Sequence, residues 1–164
     1  MGLFGKSKRE LLEWQNLLTS SPSRKLVMTE SQLTATSQRV AANHLKILKE
    51  SAELCNKTKK PDVFFLRYKL LLEHGEQLIK LSKYVKFTGT SPKASQKQVI
   101  KQRSAAIRQL IDRCFEDAEL LKTDSAKKKR YNKILNDFFP YKAEMDKDNW
   151  NYLEDVCIRK SESK

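Results

Sequence analysis

The side chains that could do chemistry in this sequence are few: two histidines and three cysteines. His44 and His74 lack the spacing of three or four residues, to each other or to a cysteine, that places two metal ligands on one helical face. Two ligands could still meet across helices, but we interpret both as core or boundary histidines. Cys55, Cys114 and Cys157 continue apolar stripes, where a thiol is a small buried hydrophobe with a raised pKa. We therefore predict no metal site and no reactive thiolate.

Motifs that would mark an enzyme are also missing from the sequence. The GKS at 5–7 lacks the earlier glycine and the preceding strand of a phosphate-binding loop. Glu73 and His74 are adjacent, which places them about 100° apart on a helix, whereas a di-iron bundle needs E-x-x-H. The sequence predicts a non-enzymatic protein without a cofactor.

Positive charge is the strongest chemical signal in the chain. The net charge is +13, and residues 93–133 contribute +7 of it while residues 134–164 carry −2. Eight cations form two groups in the basic region: Lys93, Lys97, Lys101 and Arg108, then Lys127, Lys128, Lys129 and Arg130. The first group recurs at spacings of four and seven, which places it on one helical face. We expect the two groups to form one patch that binds an anionic partner, and a solvated surface is the alternative.

The second group of cations falls at the start of a predicted helix. Positive charge there opposes the helix dipole, at a cost of a few tenths of a kcal/mol per residue. We interpret this costly placement as a sign of selection for something other than folding. Charge alone does not choose between nucleic acid, anionic lipid and an acidic protein face. Tyr131 is the one aromatic residue inside this group, which gives weak support to single-strand binding.

The N-terminal sequence MGLFGKSKRE suggests three interpretations. Myristoylation asks for Gly2 with Ser or Thr at the sixth position of the chain, but Ser7 comes one position too late. A weak, reversible membrane contact would use two apolar and three basic side chains: Leu3, Phe4, Lys6, Lys8 and Arg9. The third interpretation is a frayed end, or a hydrophobic staple that packs Leu3 or Phe4 onto the protein.

The elements that must position these residues are predicted to be helices. Only four glycines and four prolines occur in 164 residues, and Leu, Lys, Glu, Gln and Ala are abundant, which favours helix over strand. Apolar spacing, caps and breaks predict helices at 7–18, 30–57, 62–87 and 94–121, another that Pro140 closes, and a short last one around Trp150. The capping-box sequence TESQ at 29–32 precedes the second helix. The third is the most apolar and should be the most buried.

These elements predict an all-α fold, a single-domain bundle of about four long helices with one or two short C-terminal helices. The domain should span residues 1–160, with a flexible basic N-terminus over 1–8 and a disordered tail over 159–164. No apolar run approaches the 18 residues that a membrane span needs. The odd number of widely spaced cysteines argues for a reducing compartment, so we expect a cytoplasmic location.

Three segments resemble a known group of proteins: PDVFFLRY (61–68), RCFEDAELLKT (113–123) and NKILNDFFPY (132–141). They are similar to segments of small, uncharacterised helical proteins of Gram-positive bacteria and their mobile elements. The resemblance covers about residues 40–155. It implies a compact helical domain, with no assigned activity and no catalytic residue to carry over.

The sequence therefore predicts a basic helical interaction or adaptor protein that docks an acidic protein surface or a nucleic-acid-containing assembly. One alternative is a nucleic-acid-binding protein that uses the basic face of residues 93–133. Another is a weak peripheral membrane protein anchored by residues 1–9. The identity of the partner and the oligomeric state are left open.

Overall fold

Side-chain caps determine where most of the helices begin. The computed structural model describes residues 5–162. Ser7 and Thr29 each form a capping box, in which the cap side chain and the N3 side chain accept each other's backbone N–H. Ser91 and Thr123 accept a backbone N–H at the starts of two later helices. The described helices are α1 (Lys8–Leu18), α2 (Glu30–Lys57), α3 (Pro61–Leu81), α4 (Pro92–Lys101), α5 (Arg103–Glu119), α6 (Asp124–Phe138) and α7 (Lys147–Glu162), with a 3₁₀-helix over Phe139–Glu144.

This architecture confirms the predicted all-α single domain, with 78% helix and no strand among the described residues. The finer prediction of about four long helices holds in part. The predicted helix 94–121 is two helices, and the predicted helix 62–87 ends at Leu81. Residues 159–162, predicted to be disordered, form the end of α7, where Lys160 binds Glu119 of α5 at 2.6 Å. Residues 1–4 and 163–164 lie outside the described part of the chain.

The main core lies between α3, α5, α6 and α7. Helix α3 contributes eight buried residues, more than any other described helix, as its apolar sequence predicts. Ile107, Leu110 and Ile111 of α5 are 1% exposed or less. Burying one such side chain contributes about 1.5–3 kcal/mol, so these helices carry most of the hydrophobic stabilisation.

A smaller contact joins α1 to α2 and to the turn that follows α3. The Trp14 ring stacks on Tyr84 with ring centroids 4.7 Å apart, and its indole N–H donates to Ser37 Oγ at 2.7 Å. The buried indole therefore has both an apolar and a polar partner. The hydrogen bond and the stacking together hold α1 in place.

The chain bends at Gln102, between α4 and α5, where the backbone takes φ −87° and ψ 0°. On the N-terminal side of the bend, α4 packs against α3. The Tyr68 hydroxyl donates to the Val99 carbonyl at 2.6 Å, and Gln96 Nε2 donates to the Leu72 carbonyl at 2.9 Å. No glycine or proline marks the bend in the sequence, so apolar periodicity alone predicts one unbroken helix. Contacts with α3 decide the geometry.

We expect Tyr68→Phe to lower the free energy of unfolding by about 1–2 kcal/mol, because the Val99 carbonyl loses its hydroxyl donor. Urea unfolding at neutral pH measures the loss. Tyr141→Phe is the matched control: its ring stacks on Phe65 at 4.5 Å, and its hydroxyl makes no hydrogen bond within residues 5–162. Equal losses in the two variants would contradict a specific role for the Tyr68 hydroxyl.

Candidate anion-binding surfaces

The structure separates the eight predicted cations, which do not form one patch. Lys93, Lys97 and Lys101 lie on α4, before the bend at Gln102. The group from Lys127 to Arg130 lies in the first turns of α6, next to the C-terminal end of α5. At a rise of 1.5 Å per residue, the ends of α5 are about 24 Å apart. Two surfaces therefore replace the one that the sequence predicted.

Arg108 belongs to neither surface, because it binds α7. Its Nε donates to Asn149 Oδ1 at 2.7 Å, and its guanidinium lies 3.8 Å from the centroid of the Tyr152 ring. Asn149 is itself buried, and it donates to the Ser104 carbonyl at 2.8 Å. Arg108 follows Lys101 by seven residues, and this spacing would place it with the lysines only if the helix were unbroken. After the bend, Arg108 instead links α5 to α7.

Two of the four predicted cations on α6 have carboxylate partners on α5. Lys127 Nζ lies 3.0 Å from Glu119 Oε2, and Arg130 Nη2 lies 3.2 Å from Asp117 Oδ2. These contacts join α5 to α6 across the short connection between them. They offset the unfavourable placement of cations at a helix start. Ion pairs that stabilise the fold thus account for two of the four cations at the start of α6, so their position there does not by itself indicate selection for binding.

The same two carboxylates collect further partners, and we call the whole group the α5–α6 charge cluster. Lys59 Nζ lies 2.7 Å from Asp117 Oδ1, while Lys160 Nζ and the Tyr131 hydroxyl donate to Glu119 Oε1 at 2.6 and 2.7 Å. The hydrogen bonds from Lys160, Tyr131 and Lys127 lower the pKa of Glu119 to about 2. A hydrogen bond from Lys59 is the main cause of the lowered pKa of Asp117.

Lys128 and Lys129 remain as the unpaired cations of α6, with no ion pair among residues 5–162. Lys129 is exposed and Lys128 is partly buried. Any partner that binds here meets a surface whose positive charge is already balanced in part by Asp117 and Glu119. This surface is the weaker of the two candidates.

The stronger candidate is the α4 lysine face, formed by Lys93, Lys97 and Lys101. All three side chains are exposed, and none forms an ion pair within the described residues. Gln96 and Val99, on the other side of α4, contact α3. Ile100 lies at the edge of the lysine face, next to Lys93 and on the side of Gln96, and is 57% exposed. An apolar side chain beside unpaired cations is thus presented to solvent.

Two further exposed lysines precede this helix, Lys83 and Lys86, and the sequence prediction missed them. The signal was present, because residues 77–111 contain eight Lys or Arg and no Asp or Glu. A count of charge over residues 93–133 includes only part of this acid-free stretch, and so it leaves out Lys83 and Lys86. The length of the acid-free stretch explains why so many of its lysines lack a partner.

The residues predicted for membrane contact are only partly described. Leu3 and Phe4 lie outside the described residues. Lys6 Nζ lies 3.1 Å from Glu30 Oε1 and 5.2 Å from the centroid of the Trp14 ring, and Arg9 pairs with Glu13 at 3.1 Å. Lys8 is exposed. No helix within residues 5–162 is long and apolar enough to cross a bilayer.

The soft ligand residues lie apart from both basic surfaces. Cys55, Cys114 and Cys157 are free and buried, as predicted, and burial raises the pKa of these thiols to about 11, 11 and 12. His44 and His74 come together across α2 and α3, with their Nδ1 atoms 2.6 Å apart. No set of three or more His, Cys, Asp and Glu side chains is arranged to hold a metal ion in the described part of the chain.

A scan against protein-family models and searches of the curated proteins and of the solved structures found no match to this chain. The resemblance of three segments to helical proteins of Gram-positive bacteria therefore stays a prediction.

The charge cluster leads to a prediction about acid. Folding lowers the pKa of Glu119 from 4.5 to about 2, so its ionised form stabilises the folded state above pH 4.5, and this contribution is lost as the pH falls toward 2. We expect Glu119→Gln to lose less stability than the wild type between pH 5 and pH 2.5, measured as the shift in Tm.

The matched control for this experiment is Glu116→Gln. Glu116 is exposed on the same helix and has no ion pair among the described residues. We expect its acid profile to follow the wild type. If Glu119→Gln follows the wild type as well, its ion pairs contribute nothing measurable to folding.

Proposed function

We propose that this chain is a non-enzymatic interaction module that docks an acidic surface of a protein partner through the α4 lysine face. The observation that carries the proposal is the exposed Ile100 beside the exposed, unpaired Lys93, Lys97 and Lys101, on a helix whose opposite side is packed on α3. Protein interfaces commonly combine an apolar centre with a polar rim. The lysines supply the complementary charge, and Ile100 supplies the apolar contact.

The unpaired state of these lysines supports the choice of α4 over α6. A partner that binds Lys127 or Arg130 has to compete with Glu119 or Asp117, which already lie within 3.2 Å. The α4 lysines have no such internal competitor among the described residues. Docking on α4 therefore costs no existing ion pair, and the exposed charges also speed the encounter with an acidic partner.

Nucleic acid is the second candidate partner, and the composition of α4 argues against its single-stranded form. The helix sequence PKASQKQVIK has no aromatic side chain on which a base could stack. Three lysines on one exposed face could still contact phosphates along a backbone, with the strong salt dependence that such contacts produce. Nuclease treatment and the salt dependence of RNA binding distinguish this alternative from a protein partner.

The same features support a non-enzymatic function. The three thiols are buried and their pKa values are raised, which disfavours the nucleophilic thiolate. The lysines of α4 are exposed on a convex helix surface, whereas catalysis requires groups that converge on a substrate. A docking role needs only the surface charge and shape that are present.

Charge reversal tests which surface binds anions. We expect Lys93→Glu/Lys97→Glu to weaken binding to polyglutamate by about 10-fold or more in 50 mM NaCl, because two attractive contacts become repulsive. Lys128→Glu/Lys129→Glu, which makes the same charge change on α6, should weaken it by less than about 3-fold. Fluorescence anisotropy of labelled polyglutamate, repeated at rising salt, measures both effects. A larger loss for the α6 variant would assign the function to the other surface.

Ile100→Asp separates a protein partner from nucleic acid. In capture from a nuclease-treated lysate of the source cells, we expect specific proteins to bind the wild type and the α6 variant but neither Ile100→Asp nor the α4 charge-reversal variant. Because Ile100 is exposed, each variant should keep the Tm of the wild type within a few degrees. If nuclease abolishes all capture and the wild type binds single-stranded RNA with a log-affinity slope near −0.7 per phosphate, the partner is nucleic acid.

A further inference from the structure

The two histidines of the chain meet between α2 and α3, although 30 residues separate them in sequence. The Nδ1 atoms of His44 and His74 are 2.6 Å apart, the ring centroids are 4.8 Å apart, and the ring planes are inclined by 54°. Both side chains are partly buried, so solvent still reaches them. The rings thus present two nitrogen atoms to the same point in space.

Only one proton can lie between two nitrogen atoms at this distance, since two N–H groups would point at each other. The pair is then a hydrogen bond between one protonated and one unprotonated Nδ1. A metal ion is the other group that two such nitrogen atoms can share. Metal–nitrogen bonds of about 2.0–2.1 Å place two ligand nitrogens about 2.9 Å apart at a right angle and about 3.4 Å apart at a tetrahedral angle. Opening the pair by less than about 1 Å reaches either distance, and each ring must also turn so that its Nδ1 lone pair points at the metal.

We propose that His44 and His74 form a two-histidine chelate for a divalent transition-metal ion, which links α2 to α3. Both Nδ1 atoms bind the metal, which gives up two of its water ligands and keeps the others. The single proton between the rings moves to Nε2 of its own imidazole, so both rings bind as neutral ligands and no electron is transferred. Imidazole suits Zn²⁺, Ni²⁺ and Cu²⁺, with Cu²⁺ the tightest of the three.

The pair lies at the boundary between the apolar contact of α2 with α3 and the solvent, since both histidines are partly buried. One turn away on their own helices lie aliphatic residues: Val40 and Leu48 beside His44, and Leu71 and Leu78 beside His74. Because no third His, Cys, Asp or Glu joins them in residues 5–162, water completes the coordination. The affinity should be that of a two-ligand chelate, weaker than a closed structural site.

A metal bound by both helices stabilises the folded state, since the two histidines meet only when α2 packs on α3. This inference is independent of the proposed docking function, because the histidines lie outside the α4 lysine face. A failure of metal binding therefore does not affect the test of docking, and a failure of docking does not affect the test of metal binding.

The experiment uses full-length protein that has been stripped with EDTA and dialysed. ZnCl₂, NiCl₂ and CuCl₂ are titrated separately at pH 7.5, with Tm and calorimetric stoichiometry as the measurements. We expect one metal ion per chain and a rise in Tm of about 5–10 °C at a free-metal concentration near 100 times Kd. The rise should be lost at pH 5.5, where protons compete for the nitrogens.

His44→Gln and His74→Gln are the paired variants. Each should abolish the metal-induced rise in Tm, and in the absence of metal each should keep the helical circular dichroism spectrum of the wild type. The Cu²⁺ complex of the wild type should show electron paramagnetic resonance splitting from two equivalent nitrogen atoms. This signal separates a two-histidine chelate from binding elsewhere, even where a variant folds poorly. The proposal is wrong if the wild type shows no rise in Tm, if either variant keeps the rise, or if the copper spectrum shows fewer than two imidazole nitrogens.

Discussion

The packing of α4 on α3 is the constraint on which the surface of this protein depends. Hydrogen bonds from Tyr68 to the Val99 carbonyl and from Gln96 to the Leu72 carbonyl hold the two helices together. Gly75 contributes by having no side chain, because a Cβ there would collide with the side chain of Gln96. The direction of α4 then decides which of its side chains face solvent, and hence where the lysines lie.

Neighbouring carboxylates decide what each cation does in this fold. Arg130 and Lys127 resemble the α4 lysines in sequence, yet Asp117 and Glu119 bind them and turn them into links between helices. Lys97 differs because the chain around it has no acid for many residues in either direction. A basic sequence cluster therefore becomes a candidate interface only where the fold leaves it without an internal partner.

Local signals in the sequence predicted the helix starts well, and tertiary contacts decided what the sequence could not show. The capping boxes at Ser7 and Thr29 act within four residues, so α1 and α2 begin where the pattern predicts. Close to the bend at Gln102, the Val99 carbonyl accepts a hydrogen bond from Tyr68, 31 residues away in the sequence. Apolar spacing from Ile100 to Ile107 fits an unbroken helix equally well. For the same reason the sequence grouped Arg108 with the α4 lysines, whereas its side chain contacts Asn149 and Tyr152 of α7.

The meeting of His44 and His74 follows from a feature that the sequence did contain. His44 lies 13 residues before Lys57, the end of α2, and His74 lies 13 residues after Pro61, the start of α3. A short connection forces the two helices to run antiparallel, so residues at equal distances from it lie at the same height. The contact of Cys55 Sγ with the Phe64 carbonyl, near the connection, agrees with this register to within one residue. Spacing along one helix cannot detect such a pair, whereas counting outward from the loop between two predicted helices can. Two ligands on neighbouring helices of a hairpin are therefore expected to meet when equal numbers of residues separate them from the turn.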